Sequence, residues 1–129
     1  MHPSDIDVHV QTAYVAEQSA PERQISTFSY TITLHNRGDA PAQLIARHWK
    51  IEDSQGPQDE VRGLGVVGQQ PLLAPGERFE YTSGCRLRGD TGSMQGSYLF
   101  VTEEGEPFDV PVPRFEMHAQ QGDAHRVLH

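Results

Sequence analysis

From Ser26 to His35 the chain alternates strictly, with Phe28, Tyr30, Ile32 and Leu34 on one parity and Thr27, Ser29, Thr31, Thr33 and His35 on the other. A period of two puts successive side chains on opposite faces of a strand, so this run predicts a half-buried strand in an antiparallel sheet. Ile6, Val8, Val10, Thr12 and Tyr14, opposed by Asp5, Asp7, His9 and Gln11, repeat the pattern. Between Gln43 and Ile51 both parities carry apolar residues, which reads as a strand covered in part on both sides. Phe79–Ser83, Met94–Thr102 and Phe108–Phe115 complete the longer strands, and shorter ones are expected near Val61 and Val66.

Turn-forming clusters separate these runs: Asn36-Arg37-Gly38-Asp39, Ser54-Gln55-Gly56-Pro57, Ala74-Pro75-Gly76-Glu77, Arg88-Gly89-Asp90-Thr91-Gly92 and Glu103-Glu104-Gly105-Glu106. No segment carries a helical period. Many short strands with regular turns predict an all-β sandwich of two antiparallel sheets. Phe108, Val110 and Val112 share one parity while Phe115 and Met117 share the other, with Pro113 at the switch. Proline cannot donate to a ladder, so Pro111 and Pro113 predict an edge strand with a bulge. At 129 residues the chain reads as a single domain, 1–129, with an ordered core over about 5–118 and a polar tail over 119–129.

Charge narrows the function classes. Eighteen Asp and Glu against ten Lys and Arg leave a net charge of −8, and the cations, nine Arg and Lys50, form no run. Such a field repels a phosphate backbone, which argues against nucleic-acid binding. No stretch approaches the roughly 20 apolar residues needed to cross a bilayer, and the N-terminus has no signal pattern, so no direct membrane insertion is expected. Cys85, the one cysteine, can form no internal disulfide, which fits a reducing compartment and a cytoplasmic location.

Few residues carry candidate chemistry. Gly63, Gly65 and Gly68 match G-x-G-x-x-G, the spacing that lets backbone approach a pyrophosphate, but Pro71 and Pro75 leave no room for the helix that mechanism needs. A nest of backbone amides without a helix is the remaining phosphate reading, and glycines serving a bulge or strand crossing the structural one. Asp7 and His9 share a strand face and are candidate metal residues, although none of the seven histidines has zinc-site spacing. The acidic stretch from Glu52-Asp53 to Asp59-Glu60 lacks the alternation of an EF-hand. Ser83-Gly84-Cys85 brings no base to its thiol, and Arg88-Gly89-Asp90 resembles an adhesion tripeptide by chance. Arg47 shares parity with Ile45, Trp49 and Ile51, so its guanidinium is either stacked on Trp49, paired with a carboxylate, or a contact for an anion or partner.

Arg47-His48-Trp49-Lys50-Ile51, Gly63 through Gly76, Phe79 through Cys85, Gly92 through Tyr98 and Phe108 through Phe115, in that order, resemble the ApaG family over nearly the whole chain. The resemblance implies an immunoglobulin-like or fibronectin type III-like β-sandwich. It also implies an indirect link to cobalt resistance and magnesium efflux, a protein-binding role where the domain is attached to eukaryotic proteins, and a pyrophosphate contact at the glycine motif. A chain without a membrane span cannot conduct ions, so any metal effect is expected through a partner or through sensing. The expected function is therefore a non-enzymatic protein-interaction module with no catalytic residue and no cofactor. The alternative is a sensor of a divalent cation, Co2+ or Mg2+, or of a nucleotide pyrophosphate. A nucleotide hydrolase rests on the glycine motif alone.

Overall fold

The computed structural model describes residues 1–119. Eight strands follow one another: β1 (Ile6–Tyr14), β2 (Ile25–Asn36), β3 (Ala42–Asp53), β4 (Gly56–Leu64), β5 (Leu72–Leu73), β6 (Arg78–Arg88), β7 (Thr91–Thr102) and β8 (Pro107–His118). They form two antiparallel sheets, one ordered β1-β2-β6 and the other β4-β3-β7-β8, with β5 pairing β3. The only helical pieces among the described residues are three 3₁₀ turns of three residues each. The expected immunoglobulin-like or fibronectin type III-like sandwich is what the chain forms.

The period-two pattern works as anticipated in β2, where Phe28, Ile32 and Leu34 are fully buried. On its outer face Thr31 and Thr82 join hydroxyls at 2.8 Å and Thr33 donates to Glu80 at 3.0 Å. Trp49 sits at the centre of the core with its ring edge-on to Tyr30, Tyr98 and Phe115. Each such large side chain contributes about 1.5–3 kcal/mol on burial. Its indole Nε1 is the one buried side-chain polar atom among the described residues without a hydrogen-bond partner.

The double parity of β3 has a different cause from the one expected. Leu44 pairs with Phe100 and Ala46 with Leu99, so Ile45 is an extra residue that bulges the strand. Ala42 and Leu44 face the core before the bulge and Trp49 faces it afterwards. One inserted residue exchanges the two faces, which a parity count cannot distinguish from burial on both sides. β8 carries the bulge expected at Pro113: Met94 pairs with Phe115 and Gly96 with Val112, leaving Pro113 and Arg114 opposite Gln95. The expected short strand at Val61 is β4, whereas Val66 makes only an isolated bridge to Gln69. The tail beyond 119 lies outside the described residues.

A buried ion pair ties the two sheets together at one end. Asp53, at the end of β3 with its side chain fully buried, accepts from Arg88 Nε at 2.8 Å, Nη2 at 3.0 Å and the Arg88 backbone N–H at 3.0 Å, with Gln55 N–H also at 3.0 Å. Burial alone would raise the Asp53 carboxyl pKa. The donors from Arg88 and Gln55 outweigh that penalty and hold it below the ordinary carboxylate range.

Candidate interaction site

The glycine motif closes the end of β4. Gly63 lies opposite Arg47 across the β3–β4 ladder, and a Cβ there would come within 2.8 Å of the Arg47 guanidinium. Gly65 takes φ of +66°, and a Cβ on it would meet the Gln69 carbonyl oxygen at 2.4 Å. Val66 and Gln69 exchange both backbone hydrogen bonds at 2.8 Å around Val67 and Gly68, whose φ values are +42° and +79°. Positive φ at both central residues marks a type I′ turn. The last glycine is needed for that turn. Val67 is a β-branched residue in a left-handed conformation that disfavours it by about 1–2 kcal/mol.

Two amides of the motif are committed to backbone carbonyls. Gly65 N–H donates to the Ile45 carbonyl at 2.8 Å and Val66 N–H to Gln69, so neither is aimed at an anion. No helix begins here. Arg47 lies on the inward side of β3 at the rim, neither stacked on Trp49 nor paired with a carboxylate. Its Nη1 donates to the carbonyls of Leu64 and Gly65 at 3.1 and 2.9 Å and braces the loop against the sheet. Arg47, Gly63 and Gly65 are thus brought together as one structural unit, while Gly68 sits at the exposed turn with open space about it.

Beside this loop the outer face of the larger sheet forms a shallow groove of about 500 Å³, lined by Ala46, His48, Arg62, Leu64, Ser97 and Leu99 among others. It continues over Lys50, Pro111 and Arg114. Arg47, Lys50, Arg62 and Arg114 line the two parts against one carboxylate, Asp109, an inversion of the chain's net charge of −8. At the rim Glu60 contacts His48 Nε2 at 2.5 Å and Arg62 Nη2 at 2.9 Å, and the His48 bond first, then the neighbouring cations, holds its carboxyl below the usual range. His48 and Ser97 are cross-strand neighbours, but the ring nitrogen is engaged by Glu60, which gives no nucleophile–base pair.

Among the described residues, three of the four large apolar side chains left exposed, Leu64 at 75%, Leu72 at 62% and Val67 at 53%, lie along the edge made by β4, its loop and β5. Sequence reasoning passed over Leu64, Val67 and Leu72 because they read as filler inside the glycine motif and before the Pro75 turn. The available signal was their size in a stretch lacking a partner periodicity.

The other candidates are dispersed. Asp7 is exposed on the outer face of the smaller sheet and pairs with Arg37 Nη1 at 3.1 Å, while His9 faces Thr33 across the ladder. Among the described residues no three His, Cys, Asp or Glu gather in a way that could hold a metal ion. The Cys85 thiol donates to Met117 Sδ at 3.6 Å and burial pushes its pKa up to about 11, which keeps it protonated and unreactive. Arg88 of the adhesion-like tripeptide is held by Asp53, and Gly89, at φ +83°, donates to the Gln24 carbonyl. His125 and His129 lie outside the described residues.

The profile of the ApaG domain matches residues 16–102. The chain belongs to the ApaG family. It is 55% identical to Protein ApaG of Acidovorax sp. strain JS42, covering 96% of this chain and 95% of that one, and 52% identical to Protein ApaG of Thiobacillus denitrificans, covering 96% and 94%. The crystal structure of an ApaA protein from Bordetella pertussis superposes with a TM-score of 0.86 at 54% identity, covering 88% of this ApaG chain and 93% of that chain. In the described residues no helix is long and apolar enough to cross a membrane.

Proposed function

We propose that this ApaG-family chain is a non-enzymatic, cytoplasmic protein-interaction module whose partner docks on the edge formed by β4, the Gly65–Gly68 turn and β5. One observation carries the reading: exposed Leu64, Val67 and Leu72 are concentrated on that edge beside a cation-lined groove, in a chain that is otherwise acidic. Apolar side chains gathered at a polar rim mark contact surfaces. The buried, protonated Cys85 favours a reducing location over a disulfide-forming one. The family's association with cobalt resistance and magnesium efflux then acts through the partner.

The test is a photo-crosslinking side chain placed at Leu72 or, as the control on the opposite sheet, at Thr31, in cells that express the chain at its native level. The reading expects one recurrent protein adduct at position 72 that disappears in a Leu64→Ser background and is absent at position 31. Equal labelling at both positions, or none at 72, overturns it. Calorimetry with pyrophosphate, Co2+ and Mg2+ addresses the sensing alternative. Saturable millimolar heat abolished by Gly65→Ala for pyrophosphate, or by Asp7→Asn for a metal, would favour that alternative instead.

A further inference from the structure

A sandwich of two open sheets has four edges, and an edge strand presents unpaired backbone groups that can template another strand. Three of the four are guarded here. β8 carries Pro107, Pro111 and Pro113 and a bulge. β1 packs alongside β8, and the 3₁₀ turn Pro3–Asp5 before it packs on β8 as well. β6 is held near its end by the opposite sheet: Gln58 Nε2 donates to the Arg86 carbonyl, Ser54 Oγ to the Arg88 carbonyl, and Asp53 accepts the Arg88 N–H. β4 is different. Its one proline, Pro57, sits at the start, Gln58 is bulged toward β6, and no strand lies beyond Asp59–Leu64.

The side chains along this stretch specify what could add to it. Val61 and Gly63 lie on the inward side, opposite Trp49 and Arg47; Val61 is apolar and packs against the core, while the Arg47 guanidinium covers Gly63. On the outer side are Glu60, Arg62 and Leu64; the Arg62 side chain is 71% exposed and bonds Glu60 through Nη2 alone at 2.9 Å, leaving the rest of its guanidinium to solvent. Arg47 keeps its Nη1 on the loop carbonyls and places a second positive charge over Gly63. Asp59 and Glu60 occupy the other half and repel carboxylates there, so the acidic position of an incoming strand is confined to the Arg62 end.

We propose that β4 takes up an extended segment of the partner protein as an added strand, with an apolar side chain beside Val61 and a carboxylate beside Arg62. This rests on the interaction-module reading and names its mode: main-chain hydrogen bonds hold the segment and alternate side chains select it.

The probe is the capped hexapeptide acetyl-Val-Thr-Val-Glu-Val-Thr-amide, titrated into the full chain while amide shifts and hydrogen exchange are followed by NMR. Shifts and slowed exchange should centre on residues 59–64. Replacing the Glu with Lys should weaken binding at least tenfold, and Arg62→Glu should reverse that preference. N-methylating one set of alternate peptide amides should abolish binding, while methylating the other set should leave it nearly unchanged, because only one set faces β4. Shifts centred elsewhere, indifference to both methylation sets, or no binding at millimolar peptide would overturn strand addition. The broader reading fails separately: a position-72 crosslink that forms while the peptide does not bind leaves an interaction module with another docking mode.

Discussion

The larger sheet ends in two edges built to opposite rules. At β8, prolines remove donors, a bulge at Pro113 and Arg114 bends the ladder, and the neighbouring Gly96 lets β7 lie close to β3. At β4 the backbone is regular from Asp59 to Leu64, and the following turn holds Val67 in a conformation its branched side chain resists. One edge is closed by chemistry that prevents pairing. The other keeps an exposed ladder, three exposed apolar side chains and a strained turn in one place. The difference teaches that exposure here is distributed by position in the sheet and is not the residue of incomplete burial.

The largest effect expected is at the base of the open edge. Gly65→Ala forces a side chain onto φ +66° and onto the Gln69 carbonyl, and should cost about 3 kcal/mol in urea unfolding, with loss of the Arg47 bonds to the loop. A cost no greater than that of Gly68→Ala, where a Cβ meets open space, would mean the loop relaxes freely. Asp53→Asn, at the clip where β4 begins, should cost roughly 2 kcal/mol at neutral pH, because the buried side chain there would lose charge-assisted bonds to the half-exposed Arg88 guanidinium and bring an amide donor against it. The sign with pH follows from the lowered carboxyl. Its contribution is fully present above the unfolded carboxylate pKa and is lost as pH falls through the lower folded value. The native chain should therefore lose stability steeply below about pH 4 and the Asn variant less so; parallel acid limbs would remove Asp53 from that account.

A smaller and opposite effect is expected at Val67. Val67→Asn creates Asn-Gly, the pair preferred in a type I′ turn, and should raise stability by about 1 kcal/mol. The same change should weaken the position-72 crosslink if the valine is retained for contact, so stability and binding should move in opposite directions. The smallest effect on stability, but a clear one in association, is expected from Pro111→Thr with Pro113→Thr. Restoring donors to β8 should shift the chain toward dimers in light scattering at high concentration, while a persistent monomer would show that proline is not what closes that edge.

How much of this was legible in the sequence differs by element. β2 was fully readable, because its alternation runs unbroken and burial follows parity. The β8 bulge was readable because a parity break coincided with a proline. The β3 bulge was not: Ile45 is as apolar as its neighbours, so the inserted residue left no chemical mark. The glycine motif displayed its spacing but not its role, since the same spacing serves a phosphate nest or, as here, a close approach to Arg47 at Gly63, a left-handed residue at Gly65 and a type I′ turn at Gly68. Which one forms is set by the Ile45 and Gln69 carbonyls waiting for the amides of Gly65 and Val66. Arg47 was marked as unusual by its parity, yet its acceptors lie 17 and 18 residues away in a loop.

Local periodicity and turn chemistry in this ApaG-family sequence were sufficient to specify an all-β sandwich, because strand formation and the choice of inward face depend on near neighbours. The assignment of edges belonged to the tertiary structure. Whether β4 or β8 ends beside solvent, what Arg47 braces, and where Leu64, Val67 and Leu72 converge all depend on which distant strands become neighbours, and pairing across the sheets is a property of the assembled layers.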